Sequence, residues 1–233
     1  MPGPLTNDKI LQKYKFTNAF RASDRVSQYL IKEVIYNGNN DAEDTLFRTL
    51  LFKLFNKIET WELLLEQFGN ISLTSFDVKK YNRILDNAIN SGARIYSAAY
   101  IIPSGPAKQY KGKRKHLFHL ELLDRLIRNR FFKTLLNTKN MNEGFLQFLS
   151  IPSFGNFLAY QFITDLNYTP HLNFSEMEFV MPGPGARDGI KKCFSDLGEY
   201  SEQDVIKLVA DEQENNFDRL GIEFNNLYGR ALQ

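Results

Sequence analysis

Leu46, Phe47, Leu50, Leu51, Leu54, Phe55, Ile58 and Trp61 recur at intervals of three and four residues, with Arg48, Lys53 and Lys57 on the other side. Only an α-helix gathers such positions into one stripe, and a stripe this apolar must be buried. Asp44 and Thr45 are the expected cap of this helix. The same period returns along the chain. Asp77 begins a second helix that runs through Asn90 and stops at Ser91-Gly92. Residues 94–102 read as a third, stopped by Pro103-Ser104-Gly105-Pro106. Residues 117–136 read as one long amphipathic helix with Leu120, Leu123, Ile127 and Phe131 inward. Shorter helices are expected over 142–149, 159–166 and 189–194, and a polar one over 202–220. Residues 178–181 are the best strand candidate. The expectation is an all-α domain of about eight to ten helices of ordinary length.

Twenty Phe and eleven Tyr give the chain ample material for a core and exclude wholesale disorder. No run approaches the ~20 apolar residues of a membrane-spanning helix, so no membrane partner is expected. Met1-Pro2-Gly3-Pro4 opens no signal peptide. A single cysteine, Cys193, excludes an internal disulfide framework and a multi-cysteine zinc site, and three histidines argue against a histidine-built metal centre. Cys193 itself reads as a small core hydrophobe. The chain is expected to be intracellular, cytoplasmic or, in a eukaryote, nuclear. Residues 1–13 read as a tail and 14–233 as a single helical domain.

The net charge of +2 conceals two opposed blocks. Residues 108–133 hold nine Lys or Arg against two acids, a local +7. Residues 195–218 hold eight acids against one Lys, a local −7. The basic block, with Lys113, Arg114 and Lys115 at its centre, suits an anion-binding face; two complementary solvated faces are the plainer alternative. His116 and His119 adjoin it as DNA-backbone or solvent-facing residues rather than ligands. Residues 103–115 read as a polar, mobile loop.

Three segments carry chemistry. Ile151-Pro152-Ser153-Phe154-Gly155-Asn156-Phe157-Leu158-Ala159 lies between two helical patterns and resembles a helix-hairpin-helix DNA-binding element, set within residues 142–166. Gly155 and Asn156 would bring backbone amides to a DNA phosphate at a helix N-terminus. Ser153 stands where such turns usually carry their first Gly, a position that favours φ > 0. Next, Pro182-Gly183-Pro184-Gly185-Ala186 exposes amides just before a helix, which suits an anion or a close substrate. It is no P-loop, since Gly-x4-Gly-Lys-Ser/Thr occurs nowhere, and no ATP site or other cofactor site is expected from such a device. Finally, Asn18 stands at a possible helix start, and Arg21 and Arg25, four apart, would share one helix face as a phosphate clamp. Surface pairing of either arginine with Asp24 is the alternative.

Together these segments resemble the thymine-hypermodification family, which comprises the helical domain of 5-hydroxymethyluracil DNA kinases and the related α-glutamyl/putrescinyl-thymine pyrophosphorylases. The resemblance runs from about Tyr14 to Leu232. It rests most on Pro182-Gly183-Pro184-Gly185-Ala186 at its distance from the segment Phe154-Gly155-Asn156-Phe157-Leu158-Ala159-Tyr160-Gln161. It implies a fold derived from helix-hairpin-helix DNA glycosylases. It also implies action on a pyrimidine in DNA whose 5-methyl group has been hydroxylated and phosphorylated, an amine or amino acid displacing the phosphate-type group. Kinase members carry a separate P-loop domain, so a separate DNA kinase becomes an expected partner beside DNA itself. Relatives are expected to continue past Gln233, which makes this chain read as C-terminally shortened. A glycosylase-like lesion binder and a non-catalytic DNA-binding domain serving a separate kinase are the competing expectations.

Under the resemblance, Arg21, Asp165 and Glu178 become the catalytic candidates, converging in one cleft. Arg21 would hold the leaving phosphate, with Asn18, Arg25, Gly183, Gly185 and Ala186 completing the phosphate site. Asp165 or Glu178 would orient or deprotonate the amine; capping or pairing with a nearby Arg is the alternative for Asp165, and a plain solvent-facing side chain that for Glu178. Gly155, Asn156, Lys113, Arg114 and Lys115 are the DNA-binding candidates. Tyr96, Tyr100 and Tyr160 are candidates to stack an extruded base, an event that costs a few kcal/mol.

Overall fold

The computed structural model describes residues 6–14, 18, 20–98 and 114–223. Helix α1 (Lys9–Lys13) is opened by Asp8, whose carboxylate accepts from the amides of Ile10 and Leu11. A 3₁₀ turn (Arg21–Ser23) leads to α2 (Arg25–Tyr29), capped by Asp24 through the amides of Val26 and Ser27. The chain continues without interruption into a π-helical turn (Leu30–Ile35). Arg21 therefore precedes the helix that Arg25 begins, and the two do not share a helix face. Asn18 is an exposed residue outside any helix.

The apolar stripe becomes α3 (Ala42–Phe55), and it is more than a stripe: every residue from Asp44 to Phe55 is buried. A helix enclosed on all sides is the axis of its domain. Its cap is Asp41, not Asp44-Thr45; the Asp41 carboxylate accepts from the Asp44 amide. Asp44 instead serves as a buried acceptor for the Leu73 amide at 2.6 Å. The periodicity continues past Phe55, but the helix does not. Asn56 turns left-handed at φ 49°, and Ile58 and Trp61 belong to α4 (Ile58–Phe68). Asparagine tolerates that conformation better than most residues.

Helix α5 (Val78–Asn90) has the expected Asp77 cap, and Gly92 follows it at φ 88°. Residues 94–98 are not helical; Tyr100, Lys113 and the loop they bracket lie outside the described residues. The expected long helix is two, α6 (Lys115–Arg128) and α7 (Phe131–Leu136), parted by Arg130 at φ 54°. Then come α8 (Met141–Leu149) and α9 (Asn156–Leu166). Residues 176–178 form a turn, not the candidate strand, and no strand occurs among the described residues. Helix α10 (Pro184–Cys193) begins on Pro184, and Cys193 at its end is exposed rather than core. The polar stretch 202–220 is divided at Glu212 into α11 (Glu202–Asp211) and α12 (Gln213–Leu220).

The result is an all-α fold, with twelve α-helices among the described residues. Helices α7 and α9 and the π turn pack directly on α3. Helices α8 and α9 pack against each other. Gly144 makes this possible: a Cβ there would lie 2.6 Å from Cδ1 of Ile163. Phe148, Phe154 and Phe162 lock the turn between them, with Phe154 and Phe162 ring centroids 5.0 Å apart.

Candidate functional site

The turn between α8 and α9 has the positive φ expected at Ser153. Ser153 has φ 79°, a conformation that glycine enters freely and serine does not. Gly155 caps α9 in extended backbone (φ −93°, ψ 174°), and no side chain caps the helix. A Cβ at Gly155 would meet nothing within 4 Å, so glycine here is required neither by φ nor by a neighbour in the fold. What it provides is open access to the first amides of α9, where Asn156 is exposed. Such amides carry the positive end of the helix dipole.

A second helix N-terminus stands beside the first. Gly183 caps α10, again without a side-chain cap, and Gly185 and Ala186 are exposed in its first turn. The Gly183 backbone lies against Phe157, in the first turn of α9; a Cβ on Gly183 would come within 3.2 Å of that ring. Phe157, Gln161 and Asp165 follow one another at steps of four on one face of α9.

Arg21 meets that same face. Its guanidinium donates to the Gln161 side chain and, at 2.6 Å, to Oδ1 of Asp165. Lys53, from the buried α3, places Nζ 2.5 Å from the other oxygen, Oδ2. The Asp165 side chain is 2% exposed, whereas that of Arg21 is 31% exposed. Burial pushes the Asp165 carboxyl up, but Arg21 and Lys53 outweigh it and hold the group below the usual carboxylate range. Asp165 is thus a permanent anion that anchors Arg21, and a weak proton acceptor. Tyr160, beside Gln161, packs its ring on Phe179 at 6.0 Å. Burial raises its hydroxyl pKa, opposed by Arg21 and by a hydrogen bond with the Met181 backbone. The segment leading to the Pro182 turn is in this way fastened to α9 next to Arg21.

The other expected residues lie elsewhere. Glu178 has an exposed side chain in the 176–178 turn, and its backbone carbonyl accepts from Lys207 Nζ at 3.1 Å. Arg21 and Asp165 meet, but no contact joins Glu178 to them among the described residues. Arg25 is exposed on α2. Arg114 donates to Asp86 at 2.7 Å and to Asn90. Lys115 lies over the Tyr96 ring, 4.4 Å from its centroid, and burial lowers its pKa. His116 and His119 are buried, not solvent-facing. His116 Nε2 approaches Asp86 at 3.2 Å, and His119 Nδ1 pairs with the Tyr96 hydroxyl at 2.8 Å. Lys53 went unnoticed in the sequence because its position on the polar side of a striped helix looked like ordinary solvation. The described residues contain no group of three or more His, Cys, Asp or Glu able to hold a metal ion. No described helix is long and apolar enough to cross a membrane.

The model of the family described as 5-hmdU DNA kinase, helical domain, matches residues 1–233. The chain belongs to that family. Among curated proteins, the 5-hmdU DNA kinase of Bacillus phage SP10 is 28% identical over 240 residues, which cover 95% of this chain and 37% of the phage protein. The chain thus spans little more than a third of that kinase. No solved structure matches.

Proposed function

We propose that this domain binds DNA carrying a phosphorylated 5-hydroxymethyl pyrimidine and exchanges the phosphate-type group for an amine. The observation that carries the reading is the single face of α9. It presents two helix N-termini without side-chain caps, around Gly155 and Gly183, and a half-exposed arginine on a buried carboxylate. Each is an anion-binding device, and together they suit a DNA phosphate at the α9 N-terminus and a leaving phosphate at Arg21. Arg21 is the phosphate-holding group. Asp165 positions it, and the amine gives up its proton to solvent. Stabilising the departing negative charge is where such a site lowers the barrier most.

A second reading is favoured by one specific observation. Asp165 is saturated by two cations, so the face holds no free carboxylate among its paired groups. A domain that binds the modified DNA for a separate 5-hmdU DNA kinase needs none. One experiment separates the two. DNA containing 5-hydroxymethyluracil is treated with such a kinase, this protein and an amine pool, and its nucleosides are read by mass spectrometry. The transfer reading expects an amine adduct that Arg21→Ala abolishes while duplex affinity changes less than about threefold, one phosphate contact being a small share of the footprint. Unchanged phosphorylated nucleoside with wild-type protein, at full DNA binding, leaves the binding-domain reading standing alone.

A further inference from the structure

A separate recess opens on the other flank of the hairpin. It forms where α6 ends and the left-handed Arg130 throws the chain into α7, with Ser150, Ile151 and Pro152 of the hairpin as its opposite wall. Its volume is about 410 Å³, within the ~300–1,000 Å³ range of small-ligand pockets. None of its lining residues belongs to the Arg21–Asp165 cluster or to α9. The floor is apolar and buried: Leu122, Leu126, Ile151 and the aromatic Phe131. The rim is hydrogen-bonding and cationic: Arg125, Thr134 and Gln147. Among the described residues no carboxylate lines the recess, and Arg125 enters no ion pair, unlike Arg128, which is held by Asp124 at 2.7 Å.

An apolar floor with one aromatic ring takes a planar heterocycle. Amide and hydroxyl groups at the rim can read its edge. A lone exposed guanidinium beside them takes an attached phosphate. We infer that this recess is a nucleotide pocket, which takes an unstacked base with its phosphate on Arg125. Pro152 in the lining stands shortly before Gly155, the cap of α9, so along the chain the recess lies within about 11 Å of the α9 N-terminus, within reach of a strand bound there. The base it holds belongs to the bound DNA and is not the one being modified. The inference rests on the reading that the hairpin contacts DNA, but its site is distinct from Arg21.

The test uses the full chain and a short single-stranded oligonucleotide with one 5-iodouracil, crosslinked by light and mapped by mass spectrometry, with free thymidine 5′-monophosphate as competitor. The expected crosslink falls in the peptide containing Phe131. Arg125→Gln should reduce it at least fivefold and weaken strand binding about three- to tenfold, one phosphate contact's worth. Arg21→Ala should leave the crosslink in place. Competition by the free nucleotide at millimolar concentration would indicate a pocket that also takes unattached nucleotides; no competition would confine it to the strand. Wild-type crosslinks confined to α9 and α10, or an Arg125→Gln protein that crosslinks like wild type, would overturn the pocket while leaving the DNA reading intact. Failure of the wild-type protein to bind any DNA would remove the DNA reading itself, and the pocket with it.

Discussion

Asp165 stays ionised inside the protein because two cations reach it from different parts of the chain. Removing the carboxylate strips the buried Lys53 of an anion 2.5 Å away, at a cost of about 3–5 kcal/mol. Asp165→Asn is therefore expected to lower unfolding free energy by about that amount at pH 7, read by urea denaturation. Its folded-state pKa lies below the unfolded value of about 3.9. The stabilisation is complete above that value and disappears as pH falls through the folded one. Below about pH 4, where the unfolded carboxyl titrates, the wild-type stability curve should fall more steeply than that of Asp165→Asn; parallel curves would contradict the assignment. Ser153 offers the opposite sign. At φ 79° it sits where a Cβ is penalised by about 1–2 kcal/mol, and the extra chain entropy of glycine returns about 0.5–1 of that. Ser153→Gly should raise the melting temperature by roughly 1–4 °C.

Among the elements, α8 and α9 depend on a single missing side chain. Gly144→Ala gains about 0.5–1 kcal/mol in helix propensity but drives a Cβ to 2.6 Å from a fully buried Ile163. Overpacking costs about 1–3 kcal/mol, so the variant should be destabilised. Adding Ile163→Val removes the atom in the way, and the double variant should be more stable than Gly144→Ala alone, as a double-mutant cycle would measure. The turn between these helices behaves differently. Gly155→Val meets open space, so stability should change by less than about 1 kcal/mol while duplex affinity drops, since the side chain stands before the α9 amides. Loss of stability without loss of affinity per folded molecule would make the hairpin a structural turn only. Element by element, what could be read from the chain was what is written locally. Asp77 and Gly92 bound α5 because a cap and a left-handed stop are properties of one residue each. The ends of α3 and α6 were not legible, since apolar spacing continues through Asn56 and Arg130 and only their backbone angles part the helices. Arg21 and Asp165 were each visible as candidates, but Lys53 was not. A buried cation becomes recognisable only when its distant counter-charge is in place.

Across the whole molecule, charge is distributed unevenly but not as the sequence alone implies. Part of the basic block is spent internally, Arg114 on Asp86 and Lys115 over Tyr96. Duplex binding should therefore rest on a few cations and fall about tenfold to a hundredfold between 50 and 200 mM salt, fewer contacts giving a shallower slope. Replacing Lys113, Arg114 and Lys115 by Ala should weaken binding only modestly, and equally for all sequences, since Arg114 and Lys115 are engaged within the fold. An affinity indifferent to salt would remove the block from the DNA footprint. The acidic helices α11 and α12 lie at the other end of the chain, where Arg187 of α10 reaches Glu202 at 3.1 Å.

The Arg21–Asp165 bond also has a consequence in time. Its partners are 144 residues apart. During synthesis at about 5–20 residues per second, Arg21 is made roughly 7–30 s before the carboxylate that anchors it. For that interval the segment from the 3₁₀ turn to α2 has nothing in α9 to close upon, and Lys53 has no Asp165 to balance it within the forming core. A contact of that separation carries a large loop-closure cost, so the cluster is expected to close late in folding, after α8 and α9 have packed. Substitutions at Arg21 should then leave the refolding rate almost unchanged and appear in the unfolding rate, with a φ-value near zero. The anion site would be the final part of the molecule to assemble and the first to open.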